Sequence, residues 1–381
     1  IDSIDSIDSI DSIDSIDSHE KYDYCVINPP FGLKTIVTNK EILNKYLLGH
    51  RVKKQETGIL FIELGLRLLK PGGFLFSIVP NGYLGNATQS NLRLRKMIID
   101  KYRLVGIIKL PDNSFIRSGA AVSTSIMIIK NENMVDEEAN RIMDYNIYIK
   151  ELNDIGYVLN RKNTPIKYST DTLGNYMYDK NKNPIIKNDF NETLIEIKTF
   201  MKDNDISGLK RDHVTHPTTK YHKFKYSDMD DALIFDINRY LPKYKNIIYN
   251  ALATKQRQIK AYINNSSIST LKRDKSKFKY IDIGSVKSPL YSYDTLSVCD
   301  LPTRAKYHVK LGDIVLSKLK GKISFAVISH SFHNLVTTNA LKILRPINEH
   351  ARILIFANLF TKNFVIQHQS MVTGSIMETL S

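Results

Sequence analysis

The sequence predicts an α/β domain followed by a second domain that is mostly β and strongly basic. Strand-like and helix-like segments alternate over residues 19–160, whereas strand-like segments dominate residues 230–381. Residues 230–381 also hold 22 Lys and Arg against 10 Asp and Glu, a net charge of 22 − 10 = +12 within a formal +15 for the whole chain. We therefore expect a polyanionic partner for the C-terminal part.

The first 18 residues are six copies of Ile-Asp-Ser. A period of three matches neither the strand period of two nor the helix period of 3.6, so no continuous apolar face forms. We interpret residues 1–18 as a linker or an expanded repeat without a catalytic role. A short solenoid-like stack is the alternative, although such arrays need longer repeats to bury a face.

Residues 19–160 have the alternation of an α/β sheet with parallel strands. The apolar run Tyr24-Cys25-Val26-Ile27 predicts a buried strand that stops abruptly at Asn28. Further strands are predicted in FLFSIVPN, LVGIIKLP, VSTSIMIIKN and YNIYIKEL, and helices in TGILFIELGLRLLKPGG and NLRLRKMIIDKY. The last strands are expected to pair as an antiparallel edge.

Residues 161–229 are polar and predict a linker with a peripheral helix in LIEIKTFM. Glu196-Ile197-Lys198, with Asp189 upstream, imitates a nuclease pattern, but the amphipathic setting favours a surface helix. The basic C-terminal part contains strand candidates in FKYIDIGSV, GDIVLSKL, ISFAVIS, LVTTNALKILRP and ARILIFANLF.

Composition argues against several classes of protein. Cys25 and Cys299 lie far apart, which predicts neither a disulfide framework nor a thiolate metal site and suggests a reducing compartment. His213, His216 and His222 fall in a polar loop, where solvated side chains are favoured over a zinc site. No apolar run approaches the roughly 18 residues of a membrane span, and no signal peptide precedes the first strand. A soluble, cytoplasmic protein is expected.

The stop at Asn28-Pro29-Pro30-Phe31 has a chemical interpretation. Ligands of an open parallel sheet bind beyond the carboxyl ends of its strands, and these residues follow such an end. The prolines fix the backbone and donate no N–H, so the Asn28 amide oxygen and the Pro29 carbonyl form a pair of acceptors. Phe31 adds a flat face for stacking. This set fits one exocyclic amino group on an aromatic base that has flipped out of a duplex. A Pro-Pro turn that only ends a strand is the alternative.

At these residues the sequence resembles the N6-adenine DNA methyltransferases, namely the modification subunits of type I restriction systems and their fused type IIG relatives. The resemblance continues through LRLLKPGGFLFSIVPNGYLG, LRKMIIDKYRLVGIIKLPDNSF, TSIMIIKN and IYIKELNDIGYVLNRKNTPI, and covers about residues 22–203. It implies S-adenosylmethionine as the methyl donor, a Rossmann-like sheet, and catalytic roles for Asn28, Pro29, Pro30 and Phe31. Phe115, in LPDNSF, would close the substrate pocket. Cytosine N4 is the alternative target, although Asn at the first motif position favours adenine.

The family's cofactor motif is missing from its expected place. These enzymes begin with a strand and a glycine-rich loop that holds the methyl donor, but only the repeats, Ser18, His19 and Glu20 precede the motif strand. The chain is thus expected to hold the later half of a methyltransferase domain and to need a separate N-terminal half or a restriction subunit. Without that half, the motif strand would be an open edge. An inactive DNA-binding remnant is the alternative.

The C-terminal part resembles a target-recognition domain of type I specificity subunits. The resemblance rests on FDINRYLPKY, FKYIDIGSV, LGDIVLSKLKGKISFAVI, LVTTNALKILRP and GSIMETLS. It implies that double-stranded DNA is the partner, read by loops and held at its phosphates by basic side chains. The best candidates are Lys318, Lys320 and Lys322, followed by Lys272, Arg273, Lys275, Lys277 and Lys279. A solvated surface is the alternative for each single residue. The predicted layout is a linker over 1–18, a partial methyltransferase domain over 19–203, a linker over 204–229 and a DNA-recognition domain over 230–381.

Overall fold

The computed structural model describes residues 21–30, 35–112, 114–116, 122–136, 141–160, 165–207, 220–229, 233–242, 244–247, 258–264, 268–273, 277–319, 323–373 and 379–380. The Ile-Asp-Ser repeats, Phe31, Lys275, Lys320, Lys322, His213 and His216 lie outside these residues. The described chain forms two compact units, one up to Leu241 and one from Pro242. The expected start of the basic domain, residue 230, therefore falls within the first unit.

Ten strands form among the described residues of the first unit, and six of them make one mixed sheet. The strands are β1 (Tyr22–Ile27), β2 (Ile36–Val37), β3 (Gln55–Glu56), β4 (Leu69–Pro80), β5 (Arg103–Lys109), β6 (Thr124–Lys130), β7 (Val135–Asp136), β8 (Arg141–Ile142), β9 (Asn146–Glu151) and β10 (His222–Lys225). The sheet order is β1-β4-β6-β5-β9-β10. Strands β1, β4, β5 and β9 run in the same direction, whereas β6 and β10 are antiparallel to their neighbours. The carboxyl ends of the four parallel strands therefore share one side of the sheet, which we call the carboxyl edge.

The position of β6 differs from the expected antiparallel edge. This strand lies inside the sheet, between β4 and β5, and β9 pairs in parallel with β5. Since no long helix separates β5 from β6 among the described residues, the chain can return beside β5 only in the opposite direction. The antiparallel edge is formed by β10, in a segment that was expected to be linker.

Helices cover both faces of this sheet. The helices of the first unit are α1 (Lys40–Asn44), α2 (Thr57–Arg67), α3 (Asn81–Gly85), α4 (Gln89–Lys101) and α5 (Phe190–Asp203). Helix α2 packs closely on β1 and β4 at Gly65, where a Cβ atom would stand 2.9 Å from Leu75 Cδ1 and 3.3 Å from Cys25 Sγ. Helix α5 packs on the opposite face, where Phe200 joins Phe74 and Tyr148 in a buried cluster.

Parts of the polar region over residues 161–229, which was predicted as a linker, form β structure. Residues 165–188 form a hydrogen-bonded set of short β bridges, and Phe224 of β10 is buried in the sheet. Residues 233–241 also fold on the first unit, since Phe235 N donates to Leu84 O and Tyr240 stacks on Phe224 at a centroid distance of 3.8 Å.

The second unit is a mixed β structure with helices. Its strands are β11 (Phe278–Ile281), β12 (Val286–Lys287), β13 (Leu290–Tyr291), β14 (Asp294–Leu296), β15 (Ala305–His308), β16 (Ile314–Ser317), β17 (Phe325–Val327), β18 (Leu335–Thr338), β19 (Leu341–Leu344), β20 (Val372–Thr373) and β21 (Thr379–Leu380). A four-stranded sheet has the order β14-β11-β18-β15 and a three-stranded sheet the order β17-β16-β19. Side chains of both sheets, including Ile281, Val315 and Ile343, share one buried cluster.

One predicted strand of this unit is wrong. The segment ARILIFANLF belongs to a helix, α6 (Glu349–Leu359), which is followed by α7 (Lys362–Met371). The Asn348 side chain caps the helix by accepting from Ala351 N at 2.8 Å. Ala351, Ile355 and Leu359 recur every fourth residue and are all buried, which is the spacing of a helix face.

No helix within the described ranges is long and apolar enough to span a membrane.

Candidate functional site

The Asn28-Pro29-Pro30 turn lies at the carboxyl edge. Strand β1 ends at Ile27, opposite Ser77 of β4, and the turn follows directly. Asn28 and Pro30 are exposed, whereas Pro29 is buried. Buried Pro29 anchors the turn, and the Asn28 side chain remains accessible to a ligand. The predicted strand and its end at Asn28 are confirmed, but its predicted burial is wrong: most of β1 is exposed, because within the described residues it has a neighbouring strand on one side only. The role of Asn28 as an acceptor stays a prediction.

The first turn of helix α2 lies against this turn. At Gly58, a Cβ atom would stand 2.7 Å from the Tyr83 hydroxyl and 3.2 Å from the Pro30 carbonyl oxygen. Only glycine therefore lets the helix, Tyr83 and Pro30 approach this closely. The Tyr83 hydroxyl donates to Glu56 Oε2 at 2.9 Å, and burial together with the Glu56 carboxylate raises the pKa of Tyr83. Tyr83 remains a neutral donor.

Buried polar contacts hold Tyr83 in place. Helix α3 follows β4 immediately, and all of its residues are buried. From α4, Arg95 Nη1 donates to Tyr83 O at 2.9 Å and Asn91 Nδ2 donates to Gly82 O at 2.9 Å. Asn81 accepts from the Ser125 hydroxyl of β6 at 2.8 Å. The sequence analysis did not identify Gly58 or Tyr83. The one signal for this contact was the glycine in TGILF, since glycine is unfavourable in a helix unless close packing requires it.

The chain that follows the motif is also hydrogen-bonded to the start of α2. Thr35 O accepts from both the backbone N (2.9 Å) and the hydroxyl (2.8 Å) of Thr57, the first residue of the helix. Ile36 and Val37 then pair with Glu56 and Gln55. The segment that carries the motif is therefore fixed at Pro30 and again at Thr35 by the same helix terminus.

A buried polar network occupies the carboxyl edge farther along the sheet. Lys109 Nζ, at the end of β5, lies 3.1 Å from Glu151 Oε1 at the end of β9 and 3.3 Å from Asn238 Oδ1. Asp236 accepts from Asn238 N at 3.0 Å and fixes that residue. The segment over residues 233–241 is thus tied to the ends of β5 and β9 by both polar and apolar contacts. The FDINRY stretch was assigned from sequence to the DNA-recognition domain, but it belongs to the first unit, where it packs at the carboxyl edge.

Phe115 is half-buried and packs against the apolar cluster between the sheet and α5. This cluster includes Phe74, Ile128 and Phe200. The ring therefore has a packing role in the fold, and its contact with a substrate base stays a prediction.

The described residues do not form the cradle expected for S-adenosylmethionine. Within them, β1 pairs only with β4, and Tyr22, Tyr24 and Val26 along β1 are exposed, Val26 to 78%. The glycines beside β1 serve close packing: a Cβ at Gly65 would approach Leu75, and one at Gly73 would stand 3.0 Å from two backbone oxygens of β1. No glycine-rich strand-to-helix turn adjoins this edge among the described residues.

Basic residues of the second unit have unequal environments. Lys318 is half-buried, and burial with nearby Lys342 lowers its pKa. Arg273 donates to the carbonyls of Leu301 (2.8 Å) and Pro302 (2.6 Å), which fixes its guanidinium within the fold. Its neighbour Lys272 is exposed. Arg273 is exposed as well, so the two residues differ only in that the Arg273 guanidinium is bonded to two carbonyls of its own unit.

An open cleft of about 310 Å³ at the start of α6 is lined by Lys310, Arg345 and Arg352. Arg345 lies 2.7 Å from the buried Asp313 carboxylate, and Arg352 pairs with Glu349. Because acidic partners offset two of the three cations, this cleft is a poor anion site.

Glu196, part of the nuclease-like pattern, bonds to neighbouring side chains within the first unit. It is buried and accepts from the Tyr148 hydroxyl at 2.8 Å and from Lys150 Nζ at 2.6 Å. The helix is confirmed, although Glu196 faces the sheet and not solvent. No group of three His, Cys, Asp or Glu residues that could hold a metal occurs in the described part of the chain. The arrangement gives no support to the nuclease alternative.

Comparison with known proteins identifies relatives of the N-terminal part. Residues 2–115 match the family model of the Eco57I restriction-modification methylase. A Methanocaldococcus jannaschii protein named as a type II restriction enzyme and methyltransferase is 32% identical over 121 residues, which are 30% of this chain and 10% of that protein. The chain thus spans about a tenth of this relative's length. The resemblance of the N-terminal part to restriction-modification methylases is confirmed.

Solved structures give weak likenesses. A modification subunit of a type I restriction enzyme from Vibrio vulnificus YJ016 is 21% identical, with 55% of this chain and 34% of that chain covered and a TM-score of 0.32. The type IIG restriction endonuclease BpuSI is 10% identical, with 95% and 47% covered and a TM-score of 0.39.

Proposed function

We propose that this protein takes part in site-specific methylation of DNA at adenine N6, within a restriction-modification or phage-defence system. The observation that carries the proposal is the Asn28-Pro29-Pro30 turn at the carboxyl edge, held by the packing of Pro30 against Gly58. The family match over residues 2–115 supports methylation as the reaction class.

In this proposal, the turn holds the amino group of a flipped adenine. The Asn28 amide oxygen and the Pro29 carbonyl each accept one amino hydrogen, which draws the nitrogen lone pair out of conjugation with the ring. The nitrogen then becomes a better nucleophile without a covalent intermediate. The prolines supply rigidity, since acceptors fixed in advance need no reorganisation during the reaction. Phe31 is proposed to stack on the base and Phe115 to close the pocket.

The methyl donor proposed from the resemblance is S-adenosylmethionine. Because the described residues lack the glycine-rich turn for it, we assign to them only the adenine side of the reaction. Residues outside those described, in this chain or in a separate subunit, would bind the donor. We propose residues 19–203 as the partial methyltransferase region and the basic second unit as a DNA-recognition domain with phosphate contacts from Lys318, Lys320, Lys322 and Lys272. Arg273, bound to two carbonyls, would support the fold of that region.

A DNA-binding remnant without activity is the second candidate, and the net charge of +12 over residues 230–381 supports DNA binding independently of methylation. Analysis of methylated nucleosides in DNA from a host that expresses the complete enzyme separates the two. We expect N6-methyladenine with the wild type and none with Asn28→Ala. Asn358→Ala, in a helix of the second unit, serves as the matched control and should leave methylation unchanged. N4-methylcytosine alone would reassign the target, and no methylated base would favour the remnant.

A further inference from the structure

A compact basic loop precedes β3 and helix α2. We call residues 49–54, Gly-His-Arg-Val-Lys-Lys, the basic loop. The residues that flank it meet, because Gln55 Nε2 donates to Leu48 O at 2.9 Å in a buried contact. The loop therefore leaves the first unit from a closed base. Its exposed cations are Arg51, Lys53 and Lys54.

Buried contacts fix the chain that enters the loop. The Glu63 carboxylate of α2 accepts from the backbone N of Leu47 at 2.6 Å and of Leu48 at 2.8 Å. A Cβ atom at Gly49 would overlap Leu43 O, so the chain passes α1 at a distance that only glycine allows. The loop is thus positioned before a ligand arrives, and binding needs little ordering of its backbone.

Arg51 has a backbone conformation that disfavours its own side chain. Its φ of +60° lies in the left-handed region, where glycine is preferred. Strained positions of this kind cluster at functional sites. Arg51 forms no ion pair with any described residue. The fold gains nothing from an arginine here, so a ligand for its guanidinium explains the residue better than stability does.

Acidic residues around the loop do not cancel its charge. Residues 40–67 are all described, and they hold six Lys and Arg against three Glu, a net charge of 6 − 3 = +3. Arg93 of α4, whose Nη2 donates to Leu47 O at 2.8 Å, adds a further cation beside the loop. Like Arg51, the side chains of Lys53 and Lys54 have no ion-pair partner within the described chain. The local surface is therefore positive.

The base of the loop lies at the carboxyl edge, beside the Asn28-Pro29-Pro30 turn, or Asn28 turn. Helix α2 begins against this turn, since a Cβ atom at Gly58 would stand 3.2 Å from Pro30 O. Three residues separate Lys54 from Gly58, so their Cα atoms lie within about 14 Å of each other. This distance is the rise of about four steps of duplex DNA, at about 3.4 Å each. A duplex with one base at the Asn28 turn has backbone phosphates over this distance.

We propose that the basic loop binds the phosphate backbone of duplex DNA beside the flipped base, with Arg51, Lys53 and Lys54 as the contacts. The inference rests on the proposed function, because it takes DNA as the substrate at the Asn28 turn. Positive charge and proximity to that turn select DNA, whereas lysine is depleted at the cores of protein interfaces. Phosphate contacts set the register of a duplex without reading its sequence. The loop thus holds the duplex while the base is outside the stack.

A salt series with the full chain tests the electrostatic part. Arg51→Gly/Lys53→Gln/Lys54→Gln removes three charges and places glycine at the left-handed position. Affinity for duplex DNA is measured by fluorescence anisotropy. We expect the slope of log affinity against log salt to flatten by about 2.7, from about 0.9 per lost phosphate contact.

The matched control removes three exposed charges from other parts of the first unit. It is Lys182→Gly/Lys101→Gln/Lys180→Gln, in which glycine again takes a left-handed position, because φ at Lys182 is +62°. The control should leave the slope unchanged. An equal change with both triple variants, or no change with the first, would overturn the proposal, as would the absence of DNA binding by the full chain at low salt.

Chemical trapping locates the contact. The duplex contains one unpaired adenine, which costs least to flip, and an abasic aldehyde about three nucleotides away. A lysine amine beside the aldehyde condenses to an imine with loss of water, and cyanoborohydride reduces the imine to a stable amine. We expect mass spectrometry to find the adduct on Lys53 or Lys54, and to lose it when the aldehyde lies about ten nucleotides from the adenine. Adducts on other lysines alone would overturn the proposal.

The loop and the Asn28 turn can fail separately. Retained methylation in Asn28→Ala, with a flattened slope in the loop variant, would overturn the proposed role of the turn and support the loop as a DNA contact. Loss of methylation in Asn28→Ala, with an unchanged slope in the loop variant, would overturn the loop alone.

Discussion

The Asn28 turn and the basic surface of the second unit are both candidate contacts with DNA, but they are built differently. The turn is fixed by backbone packing: the Pro30 carbonyl lies close to Gly58, and Gly58 lies close to the Tyr83 hydroxyl, which donates to Glu56. The basic surface consists of side chains with unequal partners: Lys272 and Arg273 are both exposed, but Arg273 is also bound to two carbonyls of its own unit.

This difference shows what a motif encodes and what a charge count encodes. A turn of two prolines after a strand fixes where acceptors lie, so residue identity determines geometry directly. A net charge gives the sign of a surface, but it does not tell which cations are free to bind a partner. The first kind of site should be sensitive to single changes of packing, and the second only to those of its charges that are not already bonded within their own unit.

The largest effect on stability is expected at Gly58. Gly58→Ala places a methyl group against the Tyr83 hydroxyl and Pro30 O, and overpacking of this kind costs about 1–3 kcal/mol. Tyr83→Phe removes the nearer atom, so the double variant should lose less than the sum of the single variants. Native-state hydrogen exchange of the α2 amides measures both. Gly284→Ala, which meets no atom within 4 Å, is the control in the second unit. Additive losses would contradict the packing account.

Arg273 and Lys272 form a matched pair of neighbours. We expect Arg273→Gln to destabilise the second unit by about 1 kcal/mol, because it removes hydrogen bonds to two carbonyls, with little effect on the salt dependence of DNA binding. Lys272→Gln should leave stability unchanged and flatten the salt slope by about 0.9. Thermal unfolding and anisotropy titrations measure the two effects. The reverse assignment would show that the structural environment does not predict the role.

The smallest effect is expected at Lys279. Its ammonium group lies 3.5 Å from the centroid of the Phe332 ring and 4.5 Å from that of Tyr293. Cation–π contacts of this kind contribute about 0.5–1 kcal/mol, so Lys279→Gln should lower stability by about that amount. Lys277→Gln, two residues away and exposed, should be neutral in the same thermal unfolding assay. Equal effects of the two substitutions would show that the cation–π contacts of Lys279 do not stabilise the second unit.

The sequence predicted β4, β5, β6 and β9 because these strands are largely buried and are therefore nearly continuous apolar runs, whereas β1, predicted from a similar run, is mostly exposed. It did not place β6 inside the sheet, because the residues of a strand do not show which other strands pair with it. The ARILIFANLF error has a similar cause: short apolar runs suit either a strand or a buried helix, and the Asn348 cap was the signal that decides.

The bridged segment over residues 165–188 was interpreted as linker because its strands are short and polar. Its regularity lies in spacing: Asp171 and Asp179 stand eight residues apart, each followed four residues later by an asparagine. The candidate site was found in part, since the motif is compact in sequence. Gly58 and Tyr83 come from distant segments, and only the folded chain brings them to Pro30.

The central claim is that Asn28 holds the reacting amino group and contributes little to DNA binding. Its most direct test is single-turnover methyl transfer by the complete enzyme, wild type against Asn28→Ala, with DNA affinity measured on the same preparations. We expect the rate to fall by about 10³ or more, equivalent to about 4 kcal/mol of transition-state stabilisation, while DNA affinity changes less than about threefold. A rate within tenfold of the wild type at unchanged affinity would contradict the account.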